Sequence, residues 1–101
     1  MMDRDVAILI KKVCEKKEIR KFKVCNEDEK DKYLDFFEAL DIHWRQGEKP
    51  RGFTTSALYL YPFAFGLDKE DDALSFYETS FTDVISEATS WDDLLKLVVE
   101  G

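Results

Sequence analysis

A change of hydrophobic period at Asn26 constrains the fold of this chain more than any other feature of its sequence. Before it, Phe22 and Val24 alternate with charged residues, as in a half-buried strand. After it, apolar residues recur at helical spacing over about 27–41, and Asn26 with Glu29 forms a capping-box pattern at the helix start. The sequence therefore predicts a strand followed directly by a helix, so one core must combine both kinds of element.

Residues 3–17 are predicted to form a second, amphipathic helix. Asp3 or Asp5 can cap its start, and lysines crowd its second half, where the helix dipole favours cations. Its predicted apolar face consists of Val6, Leu9, Ile10, Val13 and Cys14.

The rest of the sequence predicts short strands and further helical turns. The predicted strands are 42–45, 57–65 and 74–78, and polar connections are predicted at 46–52 and 66–72. Helical turns are predicted over 82–88, and Ser90 with Asp93 marks the start of a last helix. This order predicts an α+β fold: a small, mainly antiparallel sheet of three to four strands with two to three helices packed on one face. The whole of 1–101 is expected to form one domain.

Length and composition agree with a folded domain. With 101 residues, 45% of them hydrophobic, the chain has enough apolar material for one core without disulfides or metals. Cys14 and Cys25 are therefore interpreted as reduced thiols. No segment approaches the roughly 18 to 20 apolar residues of a membrane helix, and the first residues lack the basic character of a secretory signal. These features predict no membrane association and a location in the cytoplasm of the encoding organism or of a host.

Signatures of catalysis are absent from the sequence. It contains no phosphate-binding loop, zinc-protease motif, nucleophile elbow or calcium loop. His43 is the only histidine, and its neighbours Ile42 and Trp44 indicate a structural or merely exposed role. Lysines near Cys25 favour a lower thiol pKa, but no base is positioned beside it. The sequence therefore predicts a protein that is not an enzyme and needs no cofactor or metal.

The charge of the chain is unevenly distributed. Residues 1–24 hold eight Lys or Arg against four acids, whereas residues 25–101 hold seven against eighteen, which gives a net charge of −7. The candidate protein-binding residues lie in two acidic runs and are Glu27, Asp28, Asp31, Asp68, Glu70, Asp71 and Asp72; Asp92 and Asp93 add to the acidic surface. Such a surface favours a basic partner and disfavours direct binding of nucleic acid. The alternative is that these runs are a helix N-terminus and a solvated loop.

A second hypothesis concerns a small ligand, such as a nucleotide signal that the protein would sequester. If strands 21–25 and 42–45 are neighbours, cations would converge beside aromatic rings. The candidate ligand-binding residues are Lys21, Lys23, Trp44, Arg45 and Arg51, with Tyr59 near them. The alternative is a charged, solvated sheet edge. A third hypothesis is a structural component that forms homo-oligomers through 57–65, because that segment is apolar on both faces.

Residues 32–50 carry a resemblance to a known group of proteins. A charged helix leads into Trp44 and Gly47, which form a Trp-x-x-Gly pattern before an aromatic segment. This arrangement resembles small uncharacterised phage and prophage proteins. The resemblance implies a phage accessory factor, and many of those act on host defence systems. The leading hypothesis is therefore a non-enzymatic acidic binding protein that inhibits a nucleic-acid-binding defence protein of a host.

Overall fold

The computed structural model describes residues 2–52 and 60–100, and it confirms an α+β fold. The elements of these two ranges, in chain order, are α1 (Arg4–Lys17), β1 (Lys21–Val24), α2 (Glu27–Ala39), a 3-10 turn (Pro50–Gly52), β2 (Phe63–Leu67), β3 (Leu74–Tyr77), α3 (Thr82–Glu87), β4 (Thr89–Ser90) and α4 (Trp91–Glu100). The predicted helices over 3–17, 27–41 and 82–88 and the predicted strands 21–25 and 74–78 are confirmed within a residue or two.

The sheet has the strand order β3-β2-β1-β4. β1 pairs antiparallel with β2, so that Phe22 lies opposite Phe65, and β2 pairs antiparallel with β3. β4 pairs parallel with β1 and brings Thr89 opposite Phe22. The sheet is therefore mixed, and sequence patterns missed β4 because it has two residues. Ser90 serves both as its end and as the predicted cap of α4, since its Oγ accepts from the Asp93 N–H at 3.2 Å.

Local hydrogen bonds explain where α1 and α2 begin. The Asp5 N–H donates to Asp3 Oδ1 at 2.7 Å, so Asp3 is the cap of α1. The Glu29 N–H donates to Asn26 Oδ1 at 2.9 Å, while Glu29 Oε1 accepts from the Cys25 N–H at 2.8 Å. The first two bonds satisfy N–H groups that a helix start leaves without intrahelical partners, and the third ties Glu29 to the residue before the cap.

Both of these helices end on an acidic residue in the left-handed region. Glu18 follows α1 with φ 58°, and the next N–H, that of Ile19, donates to the Cys14 carbonyl at 2.8 Å. Asp41 follows α2 with φ 56°, and the Ile42 N–H donates in the same way to a carbonyl of the last turn. This is the Schellman arrangement, in which glycine is the favoured residue because it has no Cβ.

The main core lies between one face of the sheet and the layer of α1, α2 and α4. It is rich in aromatic rings, and Phe22, Tyr33, Phe37 and Phe65 are fully buried there. The rings of Tyr33 and Trp91 meet edge to face with centroids 5.0 Å apart, which joins α2 to α4. Offset and edge-to-face pairs of this kind stabilise a core beyond the burial of their area.

The opposite face of the sheet is covered in part by α3, so the prediction that all helices pack on one face is wrong. Ile85 and Ala88 pack there against Ala64 of β2 in a second, smaller cluster. β2 alternates large rings toward the main core with the small residues Ala64 and Gly66 on the other side. Because those side chains are small, a short helix can approach the strand closely.

The predicted strand 42–45 is wrong. Within residues 2–52 and 60–100, the ladder contact of Trp44 is an isolated parallel bridge to Leu74 of β3. The chain turns there instead, since the Gly47 N–H donates to the Trp44 carbonyl at 2.7 Å and the Trp44 N–H donates to the Glu48 carbonyl at 2.8 Å. These local bonds occupy groups that a strand would offer to a neighbour.

The predicted strand 57–65 is confirmed for residues 63–65, but residues 60–62 do not belong to it. Its first three residues lie outside the described ranges, and β2 begins only at Phe63, just after Pro62, which has no N–H to donate. Gly66 and Leu67, predicted to start a polar connection, belong to β2 because they pair with β3.

The predicted apolar face of α1 is wrong for two of its residues. Val6 and Leu9 are 48% and 52% exposed, whereas Ala7, Ile10 and Cys14 are buried. The helix is rotated so that the small residue Ala7 faces the core, which allows α1 to pack closely on its neighbours.

Candidate functional site

The second turn of α2 lies against the start of α4. The Tyr33 hydroxyl donates to the Thr89 carbonyl at 2.8 Å, two residues before α4 begins. The Tyr33 ring also contacts Trp91, the first residue of α4. Burial raises the pKa of Tyr33, so its hydroxyl stays a hydrogen-bond donor at neutral pH. This contact fixes how the two acidic helix starts are placed.

Both helices carry exposed carboxylates in their first turns. We call Glu27, Asp28, Asp92 and Asp93 the acidic end. Lys32, also on α2, has its Nζ 2.9 Å from Asp28 Oδ2. The pKa of Lys32 is raised, first by the hydrogen bond that its ammonium donates to Asp28 and by the charge of that carboxylate, and to a smaller extent by Asp92. The acidic end thus comprises two predicted site residues of α2 and two acidic residues of α4, on helices that Tyr33 links.

Asp31, the third predicted residue of α2, belongs to a different arrangement. It lies with Asp35 and Glu38 on the side of the helix that faces Arg51. The Arg51 Nε is 2.6 Å from Glu38 Oε1, its Nη1 is 3.3 Å from Asp31 Oδ1, and its Nη2 pairs with Asp35. Arg51 therefore fastens the 3-10 turn to α2, which is a structural role.

Most carboxylates of the predicted acidic run 68–72 form ion pairs with other residues of the same chain. Asp68 Oδ2 lies 2.9 Å from Arg45 Nη2, and Asp71 Oδ2 lies 3.8 Å from Arg45 Nη1. The pKa of Asp68 is lowered, first by the hydrogen bond that it accepts from the Glu70 N–H and then by the one from Arg45. These contacts neutralise part of the charge that the loop would present to a partner.

Asp72 is engaged from the other side of the same loop. Its carboxylate lies 3.2 Å from Lys11 Nζ and 3.9 Å from Arg20 Nη1. Among the described residues Glu70 is the one acid of this run that has no ion pair. The loop therefore ties the basic N-terminal segment to the sheet, and it presents less free negative charge than the acidic end.

The structure does not assemble the predicted ligand-binding cations. Both edges of β1 are occupied, by β2 and β4, so residues 42–45 cannot be its neighbour. Lys21 and Lys23 alternate with core residues and lie on the sheet face away from the main core. Trp44 is buried, with its Nε1 donating to the Pro50 carbonyl at 3.1 Å. The geometric premise of this hypothesis was wrong, and Tyr59 lies outside the described residues.

The third hypothesis depended on segment 57–65 as an interface. In its described part, Phe63, Ala64 and Phe65 are fully buried within the sheet of the same chain. They are covered by the main core on one face and by α3 on the other, while Leu60 before them is exposed. Residues 63–65 therefore offer no surface to a second copy.

The cysteines and the histidine form no reactive site in the described ranges. Both thiols are free. Burial raises the pKa of Cys14 to about 11, and the pKa of Cys25 is also raised, by partial burial and then by Glu29, contrary to the lowering expected from its lysine neighbours. His43 is exposed. Residues 2–52 and 60–100 contain no group of three His, Cys, Asp or Glu side chains placed to hold a metal ion.

No helix in the described part of the chain combines the length and the apolar character needed to cross a membrane. Comparison of the chain with protein-family models, with curated proteins and with solved structures gives no match.

Proposed function

We propose that this chain is a non-enzymatic binding protein whose acidic end docks on a basic surface of a partner protein. The observation that carries the proposal is the presence of four exposed carboxylates in the first turns of two helices that contact each other, with Lys32 beside Asp28. Helices hold charged groups in fixed positions, so complementary charges on a partner can orient it before contact.

The partner that fits this surface is a protein with a basic, nucleic-acid-binding groove. Carboxylates at intervals along such a groove would take the places of phosphates. The net charge of −11 over residues 25–101 adds long-range attraction to a basic partner. The resemblance of residues 32–50 to phage proteins supports a host defence protein as that partner, and inhibition follows if the groove is blocked.

Recovery of the partner is the first experiment. The protein is immobilised and exposed to a bacterial lysate at low and at high salt, with and without nuclease. We expect a protein that is retained at low salt, lost at high salt and unaffected by nuclease, because screening weakens contacts between exposed charges.

A matched pair of variants then locates the contact. Glu27→Gln with Asp92→Asn removes two charges from the acidic end, whereas Glu18→Gln with Glu48→Gln removes two charges elsewhere. We expect only the first pair to slow association and to reduce its salt dependence. Equal effects of both pairs would show that net charge alone drives binding and would refute this site. A stronger effect of Glu70→Gln would move the contact to the loop.

A further inference from the structure

The sheet face away from the main core carries a second group of side chains that the acidic end does not involve. Lys21 and Lys23 of β1 lie on this face with Ser75 and Tyr77 of β3, because these residues alternate with core residues in paired strands. Phe81 follows at the start of α3 and contacts Tyr77. We call these five residues the shelf.

Gly66 determines how the shelf is built. A Cβ atom at this position would lie 2.7 Å from Ser75 Oγ and 2.8 Å from Tyr77 Cε2. The Tyr77 ring therefore rests against the backbone of β2 in space that any other residue would fill. Ile85 of α3 covers the neighbouring position, Ala64. The shelf begins beside Ala64.

One cation and two rings meet on this shelf, and a second cation lies on the same face. The Lys21 Nζ lies over the Tyr77 ring, 5.9 Å from its centroid, within the range of a cation–π contact. Phe81 meets the same ring edge to face at 5.8 Å and is 50% exposed. Lys23 stands on the same face about 7 Å further along the strand. In the described part of the chain neither lysine has a carboxylate partner.

We propose that the shelf binds single-stranded nucleic acid, with a base stacked on Phe81 and phosphates held by Lys21 and Lys23. Exposed rings beside cations suit a strand whose bases all present flat faces and whose phosphates recur at regular intervals. An acidic peptide would use the lysines but would leave Phe81 without a flat partner. The proposal runs against the expectation from net charge, since the shelf is a local cationic site on an acidic protein.

The experiment measures fluorescence anisotropy of a labelled oligothymidine of about 12 nucleotides at low salt. We expect saturable binding that Phe81→Ala weakens about tenfold and that Phe81→Tyr retains, because an aromatic ring is what stacking needs. Lys21→Gln should weaken binding, whereas Lys12→Gln, which removes the same charge from an exposed site on α1, should not. Two phosphate contacts give a slope of about −1.4 in log K against log salt.

Three outcomes would overturn the proposal. The first is no binding at low salt by a protein that circular dichroism shows to be folded. The second is equal weakening by Lys21→Gln and Lys12→Gln, which would indicate unlocalised attraction. The third is equal competition by polyglutamate together with no effect of Phe81→Ala, which would assign the shelf to an acidic peptide. The shelf and the acidic end share no residue, so failure of one proposal leaves the other standing.

Discussion

Replacing Glu18 by glycine should stabilise the protein. Glu18 adopts φ 58° after α1, where an L-residue with a Cβ costs roughly 1 kcal/mol more than glycine. Its carboxylate also stands at the negative end of the helix dipole, a cost of about 0.3 to 1 kcal/mol at an exposed site. Glycine is more flexible in the unfolded chain, which opposes part of this stabilisation. The net gain in the free energy of unfolding is about 1 kcal/mol.

Thermal and urea unfolding measure this gain. For a domain of this size, about 1 kcal/mol raises Tm by roughly 4 to 8 °C. Glu18→Gln removes the charge and keeps the Cβ, so it should recover only the smaller, electrostatic part. Lys12→Gly, at an exposed position inside α1, should lose about 1 kcal/mol, because glycine weakens a helix interior. If Glu18→Gly were neutral or destabilising while Lys12→Gly showed its expected loss of stability, the left-handed ending of α1 would be refuted.

Three further substitutions test other parts of the fold. Gly66→Ala should lower the free energy of unfolding by about 1 to 2 kcal/mol, because its Cβ displaces the Tyr77 ring; an unchanged Tm would mean that the ring lies elsewhere. The Cys14 thiol has its ordinary pKa of 9.0 in the unfolded chain and a pKa of about 11 in the folded chain. Its contribution to the free energy of unfolding is therefore complete below pH 9 and is lost as the pH rises to 11. Urea unfolding at pH 8 and pH 10.5 should therefore show a shallower alkaline loss for Cys14→Ala, whatever its stability at pH 8. Arg51→Lys should cost about 1 kcal/mol in thermal unfolding, since a compact ammonium lacks the planar fork with which three Arg51 nitrogens reach separate α2 carboxylates; full stability would contradict the role of Arg51 in fastening the 3-10 turn to α2.

Features that depend on neighbouring residues could be predicted from the sequence. The caps at Asn26 and Ser90 were recognisable because the side chain and the N–H that it satisfies are three residues apart. The strand at Leu74–Tyr77 was recognisable from its alternation. The two residues of β4 were not, because their pairing with β1 exists only once the whole sheet has formed.

In the candidate sites too, some features can be predicted from the sequence and others depend on contacts that exist only in the folded chain. The acidic residues are evident in the sequence, but which of them are neutralised is not. Asp68 and Arg45 lie 23 positions apart, and only the folded chain reveals their contact. Tyr77 and Phe81 of the shelf gave no sequence signal, since their meeting with Lys21 depends on strand register and on the absence of a side chain at Gly66.

The contact between Tyr33 and Thr89, 56 positions apart, has a consequence for how the protein folds. The central strand β1 lacks one of its two partners, and the aromatic core lacks Trp91 and Leu94, until residues 89–94 have been synthesised. Pairings this distant in sequence slow folding and leave apolar surface exposed in the meantime. The nascent chain therefore carries the Phe-rich face of α2 only partly covered until residues 89–94 have been synthesised, and a chaperone that holds such surfaces should engage it during that interval.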